Sequence, residues 1–292
     1  MSQDAWPSSE AIAKRPGMNV MGFKAQIRKL AKEENVKAQI LLQNYMFERF
    51  LERLSLSDYK DKFVLNGGML ISAIVGIDTR TTMDLDATMR GLPFTDESIS
   101  NIMKTICAVM VDDDTLLDVG AVTTIRPDDK YGGYRIKITA KYATIETPFS
   151  IDISTGDVIT PQPVKYSFRG MFDEKKQIEV WAYNIETVLS EKVETALRRS
   201  TLNTRARDFY DIYILCTTQL YDAALLREAF IATALHRGTT EQISDIPNLL
   251  KQIEGSAELR QQWEKYRREF DYAADISYEQ VIDALRNVCK AL

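Results

Sequence analysis

Two aspartates one residue apart, Asp84 and Asp86, have the spacing in this sequence that is best suited to chemistry. Between residues 83 and 88 apolar and polar side chains alternate, a pattern that predicts a β-strand with one buried face. Residues i and i+2 of a strand point to the same side, about 7 Å apart, close enough for both carboxylates to bind one divalent cation. The spacing therefore predicts an acidic strand face that could hold a metal ion.

A second stretch, residues 149–154, alternates in the same way and carries Asp152 on its polar side. Beside the first strand, it would add a third carboxylate to the same face. Three carboxylates repel one another unless a cation neutralises them. Mg²⁺, for which Mn²⁺ could substitute, prefers oxygen ligands and keeps waters that a phosphate can replace; two such ions would assist phosphoryl transfer. The alternative is a pair of half-exposed strands with solvated acids, and the matching second strand favours the metal site.

A glycine pair, Gly67 and Gly68, separates an apolar strand from a short helix and follows Asn66. Glycine permits a positive φ, and the free backbone N–H groups at a helix start can bind a phosphate. Asn-Gly is also a common turn with no further role. Both interpretations remain open from these residues alone.

One lysine and two aspartates lie on predicted helices farther along the chain. Lys192 falls on the apolar stripe of residues 185–197, and a lysine is rarely buried without a partner. It either extends past the edge of the core or projects into a cleft to meet a phosphate or an acid, which we favour. Asp208 and Asp211 lie one turn apart on the next helix, where an acid near the N-terminus also interacts favourably with the helix dipole.

Four arginines cluster between these helices in an otherwise acidic protein. The net charge of −5 provides no protein-wide basic field, so a polyanion would need a local basic patch. The cluster could bind RNA phosphates or form an ordinary solvated surface. The candidate RNA-binding residues are Arg198, Arg199, Arg205 and Arg207.

Composition excludes several other chemistries. A single histidine, His236, rules out a His-rich metal site and disfavours a Ser-His-Asp triad. Three widely separated cysteines without a Cys-x-x-Cys pair support neither a zinc knuckle nor a disulfide framework. No apolar run approaches the ~18 residues of a membrane span, and the N-terminus lacks the features of a secretion signal. We expect a cytoplasmic protein with no membrane contact, whose chemistry depends on carboxylates, lysine and arginine.

The elements that must position these residues form an α+β chain. Periodicity predicts helices over 23–56, 69–75 and 98–111, strands over 63–65, 82–88, 134–140 and 149–154, and helices after Trp181 nearly to the end. Capping boxes at Thr239-x-x-Gln242 and Ser277-x-x-Gln280 mark two helix starts. The predicted organisation is a loose lead-in over residues 1–20, a core over 21–182 and a helical domain over 183–292.

Together, these motifs resemble the AbiEii/AbiGii toxin family of nucleotidyltransferases. The resemblance rests on four segments in a fixed order: Phe63-Val64-Leu65-Asn66-Gly67-Gly68-Met69-Leu70, Arg80-Thr81-Thr82-Met83-Asp84-Leu85-Asp86, Glu191-Lys192-Val193-Glu194 and Arg205-Ala206-Arg207-Asp208-Phe209-Tyr210-Asp211. It covers about residues 60–215. One departure is Asn66, where many family members have a basic residue, and it bears on nucleotide preference more than on reaction type.

The resemblance implies a polymerase-β-like core with a mixed sheet, followed by a helical C-terminal domain. By this resemblance Asp84 and Asp86 would bind metal, with Lys192 and Asp208 as further catalytic residues. The strand pattern adds Asp152 as a third metal ligand and catalytic carboxylate. The nucleotide-binding group would comprise Gly67, Gly68, Arg80, Thr82, Lys192 and Asp211. Family members are toxins of abortive-infection toxin–antitoxin pairs, which implies an antitoxin encoded alongside, and related MenT-like toxins add nucleotides to the acceptor end of tRNA.

The leading hypothesis is therefore a toxin that transfers NMP from an NTP to an RNA hydroxyl, with the tRNA 3′ end as the expected acceptor and Mg²⁺ as cofactor. The first alternative is a nucleotide-binding regulatory module without turnover. The second is a structural interaction protein whose helical domain is the working surface, but such a surface does not require the ordered set of acids.

Overall fold

The structure is a computed structural model that describes residues 20–125, 132–173 and 175–292. The predicted lead-in, residues 1–20, lies outside the described residues except for Val20. The described strands are β1 (Phe63–Asn66), β2 (Asp84–Met89), β3 (Thr115–Ile125), β4 (Gly133–Tyr142), β5 (Ile145–Thr155), β6 (Val164–Arg169) and β7 (Gln177–Ala182). The described α-helices are α1 (Val20–Glu33), α2 (Ala38–Leu56), α3 (Gly67–Val75), α4 (Asp96–Cys107), α5 (Ile185–Arg199), α6 (Ala206–Thr218), α7 (Ala223–Arg237), α8 (Ile246–Gly255), α9 (Ala257–Glu269) and α10 (Tyr278–Cys289).

The strands form one mixed sheet in the order β3-β4-β5-β2-β1-β7-β6. β2 pairs in parallel with β5, whereas the β1–β2, β3–β4 and β4–β5 pairs are antiparallel. The helices α5 to α10 follow the last strand. The predicted α+β chain, with a mixed sheet followed by a helical C-terminal region, is confirmed.

Several element boundaries differ from the prediction. The expected helix over residues 23–56 is two helices, because Asn35 has a left-handed φ of 50° that interrupts helical hydrogen bonding. β3 was not predicted because a bulge between Val119 and Val122 breaks the alternation of its side chains. The short strands β6 and β7 were also missed. The capping box at Ser277 forms, but Thr239 begins only turns.

The described residues fall into two compact units. The first contains the described residues of the ranges Met1–Met69, Thr81–Gly156 and Lys165–Trp181, and it includes most of the sheet. The second contains Leu70–Arg80, Asp157–Val164 and Ala182–Leu292. Two short segments from within residues 21–182 thus belong with the helical unit.

In the first unit, α2 covers the apolar face of the sheet. Phe47 on α2 meets Phe149 on β5 edge to face, with ring centroids 5.2 Å apart, and both are buried. Ile151 and Leu85 continue this buried face on β5 and β2. Because strand side chains alternate, the acidic residues between these positions project from the opposite face.

In the second unit, α5 packs between α6 and α7, and α6 also packs on α10. The N-cap of α5 is Asn184, whose side chain accepts from the backbone of Thr187 at 2.8 Å and donates to the carbonyl of Thr160 at 2.7 Å. This pair of bonds fixes the start of α5, the helix that carries Lys192. None of the helices in the described ranges is both long enough and apolar enough to cross a membrane.

Candidate functional site

The parallel pairing of β2 with β5 places three aspartates on one side of the sheet in the first unit. Asp86 lies directly opposite Asp152, and Asp84 lies opposite Ser150. Directly paired residues on neighbouring strands project to the same face. We call Asp84, Asp86 and Asp152 the carboxylate face; Asp84 is exposed and the other two are half-buried.

Two adjacent amides on α2 hold the chain just before this face. The side chain of Gln43 donates to the carbonyl oxygen of Met83 at 2.7 Å, and that of Asn44 donates to the carbonyl oxygen of Thr82 at 3.2 Å. The Thr82 hydroxyl in turn lies within hydrogen-bonding distance of the backbone N–H and carbonyl of Asp84. Sequence analysis missed both amides; the available signal was two neighbouring polar residues within an apolar helical stretch.

Thr82, predicted to bind nucleotide, is buried in the structure, with 2% of its surface exposed. Its contacts position the backbone that leads into Asp84. Its part in nucleotide binding stays a prediction, and the contacts of its hydroxyl favour an indirect role.

Gly67 opens α3 directly against the carboxylate face. Its φ is +64°, and a Cβ at this position would lie 2.1 Å from a carboxylate oxygen of Asp86. Two separate constraints therefore select glycine here: the left-handed backbone and the close approach of the Asp86 carboxylate. The carboxylate also gains from the positive end of the α3 dipole.

Replacing Gly67 with alanine is expected to lower activity about a hundredfold, because the new methyl group would displace Asp86 by an ångström or more. Gly91 is the matched control, since its φ of +65° imposes the same backbone strain while its Cβ would meet only Lys62 Nζ, at 4.0 Å. The activity of the chain and its thermal melting should be measured for both variants. Equal loss of activity in Gly67→Ala and Gly91→Ala would mean that backbone strain, not displacement of Asp86, is responsible.

Arg135 on β4 binds the third aspartate of the carboxylate face. It lies directly opposite Asp152 in the β4–β5 pair. Its Nε donates to Oδ1 and its Nη2 donates to Oδ2, each at 2.7 Å, so both carboxylate oxygens are engaged in a bidentate pair. These nearby acids raise the pKa of Arg135 above its ordinary value. The hydrogen bonds and charge of Asp152 have the largest effect, and the charges of Asp84 and Asp86 add to it.

The chemistry of these donors fits a hard divalent cation. Carboxylate oxygens are the ligands that Mg²⁺ and Mn²⁺ prefer, and the strand register aligns them on one face. Within residues 20–125, 132–173 and 175–292, however, no three His, Cys, Asp or Glu side chains are grouped closely enough to hold a metal. Asp84 and Asp86 are therefore the candidate ligands in this structure, because Arg135 binds both carboxylate oxygens of Asp152.

In the second unit, two cations and two anions form a buried network. Nε and Nη2 of Arg80 donate to the two carboxylate oxygens of Asp211, at 2.8 and 3.3 Å. Nζ of Lys192 lies 2.9 Å from Asp211 and 2.7 Å from Asp208. We call these four residues the ion network; its formal charges sum to zero.

The four residues of the ion network differ in how far they are exposed and in which partners they bind. Arg80 and Asp211, predicted to bind nucleotide, are 1% and 0% exposed and bind each other. Lys192 keeps a fifth of its side chain exposed, and Oδ2 of Asp208 has no hydrogen-bond partner among the described residues. Lys192 and Asp208 are thus the members with capacity for a ligand, while Arg80 and Asp211 orient them.

Asp211 is ionised far into the acid range. Burial alone would raise its pKa, but Arg80 and Lys192 outweigh that effect and lower the pKa to about 2. The pKa in the unfolded chain is about 3.9, so the folded protein favours the carboxylate.

The ion network should therefore lose stability in acid. Because the folded pKa of Asp211 lies below the unfolded one, its contribution is fully present above about pH 5 and disappears as the pH falls toward 2. The difference in free energy of unfolding between wild type and Asp211→Asn is expected to shrink by about 2 kcal/mol across that interval. Urea unfolding at several pH values measures it, and a difference independent of pH would contradict the assignment.

The four candidate RNA-binding arginines are not equally available. Arg198 forms an ion pair with Glu194 at 2.9 Å, and the guanidinium of Arg207 lies 5.9 Å from the ring centre of Phe270. Arg205 is exposed at the N-cap of α6, and Arg199 is half-buried. Their role in RNA binding stays a prediction.

Comparison with known proteins identifies the chain as a member of the nucleotidyltransferase class and, within it, of one family. Residues 49–285 match the family described as nucleotidyl transferase AbiEii toxin, type IV TA system, so the chain belongs to this family, and the resemblance inferred from the motifs is confirmed. The family belongs to a type IV toxin–antitoxin system, which implies an antitoxin partner. A search of curated proteins finds no matching sequence.

Several solved structures are similar to this chain, among them the following two. JHP933 from Helicobacter pylori is 14% identical, with a TM-score of 0.47, and the match covers 87% of this chain and 93% of that one. An antigenic nucleotidyltransferase-like protein from Paracoccidioides brasiliensis is also 14% identical, with a TM-score of 0.39, and the match covers 70% of this chain and 93% of that one.

Proposed function

We propose that this protein is a toxin that transfers NMP from an NTP to an RNA hydroxyl in the cytoplasm, with the tRNA 3′ end as acceptor. The observation that carries the proposal is the placement of Asp84, Asp86 and Asp152 on one face of the sheet in a chain of the AbiEii nucleotidyltransferase family. An antitoxin encoded alongside would counteract it.

In the proposed reaction, the acceptor hydroxyl oxygen forms a bond to the α-phosphorus of the NTP. The bond from that phosphorus to the bridging oxygen breaks, and pyrophosphate leaves with the electron pair. Bound Mg²⁺ would supply Lewis-acid stabilisation of the phosphate oxygens. Asp84 and Asp86 would hold it, and Asp152 would serve as a further ligand or accept the hydroxyl proton.

The remaining residues would bind and orient the triphosphate. The α3 N-terminus at Gly67 and Gly68 offers backbone N–H groups to phosphate oxygens. Within the second unit, Asp211 and Asp208 orient the ammonium group of Lys192, and Arg80 fixes Asp211 in place. The family resemblance is what assigns this lysine to the triphosphate. Asn66, whose amide donates to the Thr88 hydroxyl at 3.0 Å, is held within the sheet beside Asp86 and bears on nucleotide preference.

The direct test incubates the purified full chain with Mg²⁺, total RNA and each labelled NTP in turn. A labelled band of tRNA size is expected, it should vanish with EDTA, and mass spectrometry of the tRNA ends should show added nucleotides. NTP binding by calorimetry without labelling of any acceptor would instead support a regulatory module. Absence of any Mg²⁺-dependent NTP affinity would support an interaction protein.

A further inference from the structure

Arg135 gives the carboxylate face a cation of its own. Its two hydrogen bonds occupy both oxygens of Asp152, and the acids beside it, Asp84 and Asp86, are near enough to act on its charge. Neither the family resemblance nor the motifs that carry it involve this residue. It lies on β4, a strand that supplies no predicted site residue.

We propose that Arg135 is the resident counter-ion of the carboxylate face and competes with a divalent cation for Asp152. The inference rests on the proposed function, because it concerns the metal that the face would hold. In the absence of metal, the guanidinium neutralises Asp152 and limits the repulsion among the three acids. When a divalent cation takes an oxygen of Asp152, at least one of the two hydrogen bonds must break.

The exposure of the pair makes such an exchange feasible. The side chain of Arg135 is 45% exposed, whereas that of Asp152 is 14% exposed. The guanidinium can therefore move into water while the carboxylate stays within the face. An ion pair with one well-exposed partner is worth little against solvent, so a divalent cation with two carboxylates nearby can displace it.

The opposite role for Arg135 would be structural. A fixed bidentate pair could hold Asp152 in the orientation that a metal needs, in which case removal of the guanidinium would weaken metal binding. Competition predicts tighter binding instead. The sign of the change thus separates the two roles.

Lys137 provides a matched control on the same strand. It lies two residues from Arg135 and faces Ser150, the residue opposite Asp84, so it projects from the same side of the sheet and is exposed. Lys137→Gln removes one positive charge from this side without touching the Asp152 pair. Any general effect of lowering the positive charge appears in both variants.

The experiment measures Mn²⁺ binding to the full chain by electron paramagnetic resonance, without nucleotide and at constant ionic strength. Arg135→Gln is expected to lower the Kd about fivefold, the scale of one exposed ion pair, and Lys137→Gln less than about twofold. Arg135→Lys should also tighten binding, because lysine keeps the charge but cannot engage both oxygens. In an Asp152→Asn background, Arg135→Gln should give no gain.

Melting curves without metal verify that each variant is folded, as expected for an exposed side chain on a paired strand. Unchanged or weaker Mn²⁺ binding in Arg135→Gln, or an equal gain in Lys137→Gln, would overturn competition while leaving the proposed function intact. Failure of wild type and of every variant to bind Mn²⁺ would overturn both.

Discussion

Asp86→Asn is expected to reduce nucleotide transfer by at least about a thousandfold, which corresponds to about 4 kcal/mol of lost transition-state stabilisation. Asp86 lies between the other two acids of the carboxylate face, opposite Asp152, and its carboxylate contacts the start of α3 at Gly67. Asparagine keeps the shape but loses the charge that would hold a divalent cation. The assay is the labelling reaction with Mg²⁺, labelled NTP and RNA.

The same substitution should leave the protein folded, because it removes one of three like charges that repel one another. Its melting temperature is therefore expected to equal or exceed that of wild type. Asp118→Asn is the control: this acid lies on β3 of the same sheet, is 57% exposed and pairs with Lys141, and its loss should not change labelling. Labelling that persists in folded Asp86→Asn would refute the assignment of the active face.

Asp211→Ala is expected to lower the free energy of unfolding by about 3–5 kcal/mol, because it removes the anion shared by the buried guanidinium of Arg80 and the half-buried ammonium of Lys192. Asp211 is fully buried and binds both Arg80 and Lys192. Urea denaturation measures the change. Glu279→Ala is the control within the same unit, since its ion pair with Arg260 lies on the surface and should contribute nothing measurable.

Replacing both Arg80 and Asp211 shows whether the loss of stability comes from an unpaired charge or from lost packing. The double variant Arg80→Met with Asp211→Leu should recover part of the stability, because apolar side chains of similar volume can substitute for a buried ion pair. A loss below about 1 kcal/mol in Asp211→Ala would mean that water reaches the ion network and solvates its cations.

Local patterns in the sequence were sufficient to predict the strands of the carboxylate face. Alternation at residues 83–88 and 149–154 reports which side chains share a face, and that depends only on the geometry of a strand. That the two strands lie side by side was inferred from the expectation that Asp152 joins Asp84 and Asp86 at a shared metal site. The glycine at position 67 was identified by its turn chemistry, but its contact with Asp86 depends on a pairing 20 residues away.

Partners distant in sequence could not be predicted in the same way. Gln43 and Asn44 bind the chain some 40 residues downstream. Their polar character within an apolar helical stretch signals that they have a partner, but not which residues the partner comprises. Arg135 faces Asp152 only because β4 and β5 pair in that register. Asp211 was assigned to nucleotide binding through the family resemblance, and its burial against Arg80 depends on a contact between residues 131 positions apart.

The parallel pairing of β2 with β5 also determines when the carboxylate face can be completed during synthesis of the chain. Asp86 and Asp152 are 66 positions apart, which a ribosome adding about 5–20 residues per second covers in about 3–13 seconds. Until β5 has been made and has joined the sheet, the nascent chain carries only an isolated pair of acids. Translation that stops between these two strands would therefore yield a fragment that lacks Asp152, and only ribosomes that proceed past residue 152 can complete the carboxylate face.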